Sequence, residues 1–390
     1  MNRRLSYIVN ADWYFQLHWL ERAKAAKQSG LDVSVITPVT DAATQKSIED
    51  EGIKVIPWAL SRSGRHLFKE IGSITLLRKL LKQEQPDLVH CITVKPNVYA
   101  FCLSLFMRLK LVLSVTGLGM LFTSGRSVDR ITGWNVKTLY SIASRRHYIF
   151  FENNDDLNII KNSRLSDPRR LKRVMGAGVS SKDYAFQAPM QMRESLELFF
   201  AARLLQPKGL DVLVEAVRKL NDEGYPAHLR VAGISDPDSP LSIPEKQIEQ
   251  WNQLPFFEFL GNRKDVPALI AESHFVCLPS TYGEGIPRIL IEATAIGRPL
   301  ITTDVPGCRE ICVDGYNGFL AEPSKSEPIS SALKKIFHDP SLLIEISANS
   351  RRVFDRGYDS ESVIKYTLAT YKVILEGTLR YTRKGVERCD

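Results

Sequence analysis

The sequence predicts an α/β protein: two doubly wound parallel-sheet domains followed by a helical tail. Three observations predict it. Short β-branched runs alternate with amphipathic stretches, the pattern of βα units whose sheet faces are covered by helices. The alternation comes in two series, separated by the polar stretch 180–195. A length of 390 residues, at about 150 per domain, leaves room for two domains and a remainder.

In the first series 5–9, 33–36, 54–56, 88–90, 111–115 and 148–151 read as strands, with helices at 16–28, 67–83, 98–107 and 131–144. In the second, strands are expected at 196–201, 227–232, 256–260, 275–278 and 299–302, with helices at 210–220, 244–253, 265–272 and 287–296. From 329 to about 379 the pattern is helical throughout. The expected division is a first domain over 1–187, a second over 188–365, and a helix over 366–390 that crosses back to the first. Open parallel sheets bind ligands beyond the carboxyl ends of their strands, so two facing sheets place a site in the cleft between them.

Composition narrows the function classes. With 44% hydrophobic and 25% charged residues each half can bury a core, which excludes disordered and low-complexity classes. No run of about 18 apolar residues occurs, so no membrane-crossing helix is expected. The most apolar stretch, 98–107, stops at Arg108 and Lys110. Asp12 and Glu21 follow Arg3 and Arg4, so a signal peptide is not expected. Cys91, Cys102, Cys277, Cys308, Cys312 and Cys389 form no CxxC pair, and reduced thiols in the cytoplasm are expected. Residues 1–187 carry 28 Lys and Arg against 16 Asp and Glu, while the remainder is net acidic. A basic first half suits an anionic partner, such as a membrane surface or a phosphorylated acceptor, and equally a plain solvated face.

The sharpest cluster is Pro279-Ser280-Thr281-Tyr282-Gly283-Glu284-Gly285-Ile286-Pro287, with Glu292 in the helix that follows. Pro287 suits the first helical position. The amides of Gly285, Ile286 and Arg288 are then expected to project from the helix N-terminus and form an anion seat. Glu284 and Glu292 are placed to hold two sets of sugar hydroxyls, or to serve as a cap and a surface acid. Glu-x7-Glu alone does not decide. A second cluster, Ala201-Ala-Arg203-Leu-Leu-Gln-Pro-Lys208-Gly209, brings two cations to another helix start, suited to a diphosphate or to a solvated turn.

Together with Phe259-Leu260-Gly261-Asn262-Arg263 and Thr302-Thr303-Asp304-Val305-Pro306-Gly307, these clusters resemble the C-terminal domain of the retaining family 4 glycosyltransferases, which have the GT-B fold of two facing Rossmann-like domains. Asn10-Ala-Asp12-Trp13-Tyr-Phe15-Gln-Leu-His18, Thr93-Val-Lys95-Pro96-Asn97, Thr116-Gly117-Leu118-Gly119 and Phe151-Glu-Asn153-Asn154-Asp155-Asp156 resemble a bacterial subgroup that extends polyprenyl-diphosphate-linked glycans for O-antigen, capsule or glycoprotein. The resemblance implies a nucleotide-sugar donor, UDP-linked, and a lipid-linked glycan acceptor. It implies that Arg203 and Lys208 neutralise the leaving diphosphate and that Glu284 holds donor hydroxyls with the Gly285 and Ile286 amides. Glu292 would bind the ribose, and Gly261 and Arg263 would lie near the base. Asn10 and Asp12 would face the reacting phosphate. Trp13, His18, Thr93, Gly117 and Gly119 would lie on the acceptor side. Where relatives carry a histidine two residues past His90 this chain has Ile92, so Thr93 or Lys95 is expected to serve instead. His90 reads more simply as a packed strand-end residue.

The resemblance implies retention at the anomeric carbon, and with no carboxylate nucleophile evident near the reacting centre same-face attack is expected, the leaving phosphate taking the acceptor proton. Asp236-Pro237-Asp238 spells a metal-holding acidic pair of another glycosyltransferase fold but reads here as loop acids, and neither metal nor cofactor is expected. The rivals are a sugar-nucleotide epimerase or phosphorylase on the same fold and a non-enzymatic sugar-nucleotide sensor. A dinucleotide oxidoreductase lacks its GxGxxG, and no nucleic-acid module is recognisable.

Overall fold

A computed structural model describes residues 2–60, 67–119, 127–192, 194–236 and 239–377, with backbone alone at 67–68 and 127–132. Its first sheet is formed by β1 (Arg4–Ile8), β2 (Asp32–Thr37), β3 (Lys54–Pro57), β4 (Leu88–Ile92), β5 (Leu111–Val115), β6 (Tyr148–Phe151) and β7 (Leu171–Arg173). Its order is β3-β2-β1-β4-β5-β6-β7, every pair parallel. The second sheet contains β8 (Leu196–Arg203), β9 (Ala227–Ile234), β10 (Phe257–Gly261), β11 (Phe275–Leu278), β12 (Leu300–Thr303) and β13 (Gly318–Ala321), in the order β10-β9-β8-β11-β12-β13. This is the GT-B architecture: two Rossmann-like sheets, each wound in both directions from a switch point.

The switch points decide where the site lies. In the second sheet the strand order reverses between β8 and β11, so the loops carrying Lys208 and Glu284 flank one crevice. In the first it reverses between β1 and β4, whose following loops carry Asn10 to Trp13 and Thr93. Nearly continuous Val, Ile, Leu and Phe runs make these strands, buried on both faces by helices such as Leu210–Asp222, whose Leu213, Val214, Val217 and Leu220 recur at helical spacing. Gly209, which precedes that helix, has φ +74°, and a Cβ there would fall 2.0 Å from the Pro279 carbonyl oxygen, so only glycine brings the two loops this close.

Several elements differ from the sequence expectation. The 16–28 helix is two, Asp12–His18 and Leu20–Gln28. The tail is three helices, Glu327–His338, Ser341–Phe354 and Ser360–Glu376, interrupted at Pro340 and at Gly357 with φ +116°. The most apolar stretch is a core helix, Val94–Ser104, and only the turn after it, Leu105-Phe106, is exposed. The final helix begins beside Val179 and buries Tyr371 in the first domain. There the Tyr371 hydroxyl meets His90 Nδ1 at 2.5 Å and the Tyr7 hydroxyl at 3.1 Å, while His90 Nε2 meets Ser114 Oγ at 2.7 Å. His90 is thus a packed, fully partnered histidine whose pKa burial holds well below the ordinary value. Residues 378–390, including Cys389, lie outside the described residues.

Candidate active site

The loop after β11 and the turn after β8 meet in an ion pair between Lys208 Nζ and Glu284 Oε2. Both side chains are largely withdrawn from solvent, 11% and 15% exposed. Ser280 Oγ donates to the other Glu284 oxygen at 2.6 Å, and the Tyr282 ring centroid lies 5.5 Å from the ammonium. Burial works against the Lys208 charge, but the adjacent Glu284 outweighs it and holds the ammonium above its ordinary pKa. The sequence clusters around Arg203–Lys208 and Glu284 are therefore one dry, preorganised charge pair at the switch point.

Arg203 does not join that pair. Its guanidinium is exposed, 3.0 Å from Asp236 and 5.8 Å from the Trp13 ring centroid of the first domain. Asp236 accordingly serves as an arginine partner, and Asp238 lies outside the described residues. Glu292, 6% exposed, accepts from Tyr184 at 2.8 Å and from Arg288 Nε at 2.7 Å. The sequence points to no role for Tyr184, and for Arg288 only to one for its main-chain amide. Arg263 is held by Asp265 at 2.8 and 2.5 Å on the surface just past Gly261, which has φ +68°.

The expected open anion seat is corrected. The helix runs Arg288–Ile296 with Pro287 as its cap rather than its first residue. The Gly285 amide donates to the Thr116 carbonyl at 2.9 Å and the Ile286 amide to Glu152 Oε2 at 3.2 Å. Both acceptors belong to the first domain, which presses onto this loop because Gly117 and Gly119 lack side chains. Asn153 Nδ2 adds a bond to the Glu284 carbonyl at 2.9 Å. Further along the seam, Glu310 accepts from the Asn154 amide at 2.6 Å and from Arg173 at 2.6 Å.

Glu152 is the carboxylate that sequence reasoning missed. It stands one residue past β6, in a motif noted only as part of a resemblance, and desolvation at the seam pushes its carboxyl up to about 7. Arg22, a buried cation whose charge acts on Glu152, donates to the Gly176 carbonyl at 2.5 Å and lies 4.1 Å from the Trp19 ring centroid.

On the first-domain side the placements are mixed. Asp12 is fully buried and accepts from the Thr40 amide at 2.7 Å, the Thr40 hydroxyl at 2.6 Å and the Trp13 amide at 2.8 Å, so its carboxylate fastens two loops together and is not offered to a donor. Asn10 is half-buried beside it. Thr93 adopts φ +73°, a strained value for a β-branched residue, with its hydroxyl buried and unpartnered. Lys95 lies 2.9 Å from Glu70. The His18 ring lies tilted against Tyr14, centroids 4.4 Å apart, and burial with nearby Arg288 drives its pKa down to about 3. A cavity of about 1060 Å³, lined by His18, Arg22, Tyr184, Arg288 and Asp359 among others, opens at the crossover side of the seam.

Residues 186–353 match the family model described as glycosyl transferases group 1, and residues 4–150 match that described as glycosyl transferase 4-like. The chain is 24% identical, over 90% of its length and 94% of the relative's, to the N,N'-diacetylbacillosaminyl-diphospho-undecaprenol alpha-1,3-N-acetylgalactosaminyltransferase of Campylobacter jejuni. It is 22% identical to the capsular polysaccharide biosynthesis glycosyltransferase CapM of Staphylococcus aureus, over 90% of this chain and 92% of that one. Among solved structures, Anabaena Alr3699/HepE in complex with UDP and glucose superposes with a TM-score of 0.74 at 17% identity, covering 95% of this chain and 100% of that one.

Proposed function

Since the chain belongs to the group 1, family-4-like glycosyltransferases, we propose that it moves a hexose or N-acetylhexosamine from a UDP-linked donor to a hydroxyl of a polyprenyl-diphosphate-linked glycan, retaining the anomeric configuration and needing no metal. The observation that carries this reading is the preformed Lys208–Glu284 pair at the switch-point crevice. The Campylobacter relative, by its name a diphospho-undecaprenol glycosyltransferase, supports the acceptor class, and the UDP complex of the Anabaena protein supports the donor.

In this reading Lys208 meets the diphosphate as negative charge grows on it, and Arg203 swings from Asp236 to join it. Glu284 holds sugar hydroxyls and Glu292, steadied by Arg288 and Tyr184, holds the ribose. The bond from the anomeric carbon to the phosphate oxygen breaks while the acceptor oxygen bonds to the same face. The acceptor proton passes to the departing phosphate, and nucleoside diphosphate leaves. The two cations supply the counter-charge, so a metal is not needed in this scheme. The first-domain loops at Trp13, Thr93 and Lys95 position the acceptor.

A donor panel tested with synthetic polyprenyl-diphosphate glycans decides the matter. Release of nucleoside diphosphate with a retained anomeric linkage is expected. An inverted product, or epimerised sugar formed without acceptor, would remove the proposal.

No helix among the described residues is long and apolar enough to cross a membrane. We propose peripheral attachment through the turn after Val94–Ser104, where Phe106, 82% exposed, shares a shallow depression with the exposed Arg108 and Arg146. An apolar tip ringed by arginines matches an anionic bilayer surface. At low salt the protein is expected to float with phosphatidylglycerol vesicles and not with phosphatidylcholine vesicles, and Phe106→Ser combined with Arg146→Glu is expected to abolish flotation. Equal recovery with both vesicle types, or none with either, refutes the attachment.

A further inference from the structure

The seam leaves the donor loop occupied. Glu152 Oε2 holds the Ile286 amide at 3.2 Å, and a Cβ built on Gly285 would fall 2.1 Å from that same oxygen. The carboxylate thus rests on the loop where the sugar and phosphate oxygens of the donor are to be received. The neighbouring Gly285 amide is taken by Thr116. An amide N–H makes one strong hydrogen bond, so a donor and Glu152 exclude each other at Ile286.

On the donor-site reading given above, we propose that Glu152 is a donor-affinity determinant supplied by the first domain: its carboxylate fills the Ile286 amide in the empty enzyme, and a nucleotide sugar binds only by displacing it. Like charge adds to the competition, because the arriving diphosphate and the carboxylate repel each other across a desolvated seam. Arg22 offers the displaced group somewhere to go. It is 2% exposed, its charge acts on Glu152, and its Nε and Nη1 are buried with no hydrogen-bond partner.

The displacement depends on pH. Burial raises the Glu152 carboxyl to about 7, against the pull of Arg22 and the Ile286 amide, while Asp156 and Glu284 push the same way as burial. Three groups facing it, Arg22, Tyr14 and His18, do not change charge near neutrality. Arg22 remains cationic. Burial raises the Tyr14 hydroxyl, which stays protonated, and His18 beside it, driven down to about 3, stays neutral. Burial also raises the Asp156 carboxyl, which is stabilised as the anion by Asn153 and the Leu118 amide. Below about 7 Glu152 takes a proton, loses its charge and releases the seat; above it the plug is ionised and firm.

The probe is UDP-glucose, whose diphosphate does not titrate near neutrality, bound to the full chain at pH 6, 7 and 8 and followed by calorimetry. The wild type is expected to bind roughly 10-fold more tightly at pH 6 than at pH 8, the ratio of ionised to neutral Glu152 one unit above its pKa. Glu152→Gln is expected to bind at pH 8 as the wild type does at pH 6, with no slope. A wild-type affinity that is flat from pH 6 to 8 overturns the role of Glu152 and leaves the donor site standing, and that measurement needs no variant. No binding of UDP-glucose or UDP by either protein overturns the donor site, and the plug with it.

Discussion

Lys208→Ala is expected to reduce glycosyl transfer at least about 100-fold, the scale of losing one preorganised charge stabiliser, and Glu284→Ala to do the same. Lys208 Nζ bonds Glu284 Oε2 in a pocket where neither side chain is more than 15% exposed. Removing the ammonium strands a carboxylate whose remaining side-chain hydrogen bond is the one from Ser280. Breaking a buried pair from one side typically costs about 3–5 kcal/mol, so some loss of thermal stability should accompany the loss of activity. The double variant separates the two effects: with no charge left unpaired, stability should partly recover while transfer stays low. Initial rates read beside unfolding curves provide the check. Near-normal transfer by either purified single variant contradicts the assigned roles.

Gly119→Ala is expected to depress transfer by about 100-fold. Gly119 does not occupy the left-handed region, so an alanine suits its own backbone. What an alanine does not suit is the other domain. Its Cβ would fall 1.9 Å from the Gly283 carbonyl oxygen and 2.4 Å from the Gly283 carbonyl carbon, both main-chain atoms that cannot rotate aside. The loop 283–286 must then retreat from the first domain, carrying Glu284 away from the first-domain loops across the seam. Small-angle scattering should show a larger radius of gyration for the variant, and kcat should fall. A fully active variant of unchanged dimensions would show that this contact is not part of the working conformation.

Most of the fold could be read from local pattern. Runs such as Leu111 to Val115 and Tyr148 to Phe151 carry enough β-branched and aromatic residues to declare themselves, and the observed strands at those places agree. Two of the four edge strands could be read, β3 at 54–56 and β10 at 256–260, while β7 and β13 could not, and those two are strands because β6 and β12 offer them hydrogen bonds. The tail misled for a related reason: helical spacing persists across Pro340 and Gly357, while the chain itself turns there.

The site divides in the same way. Glu284 and Lys208 were legible as parts of two clusters, each suited to a strand end followed by a helix start. Their bonding to each other was not, since 76 residues separate them. Asp12 sits in a recognisable motif, yet its carboxylate is spent on Thr40. Glu152 carries no spacing signal at all, being one acid after a strand.

What the sequence by itself determined is the class of architecture, the two loops that bear Lys208 and Glu284 and the family to which they are similar, because strand and helix periods and glycine-marked loops are properties of neighbouring residues. What only the tertiary structure decided is which charges meet and which amides stay free. Those depend on two domains closing on one another, which brings Thr116 and Glu152 onto the amides of Gly285 and Ile286 at distances of 2.9 and 3.2 Å. Hydrogen bonds and ion pairs act over a few ångströms, and no local pattern in the chain encodes proximity between residues more than 130 positions apart.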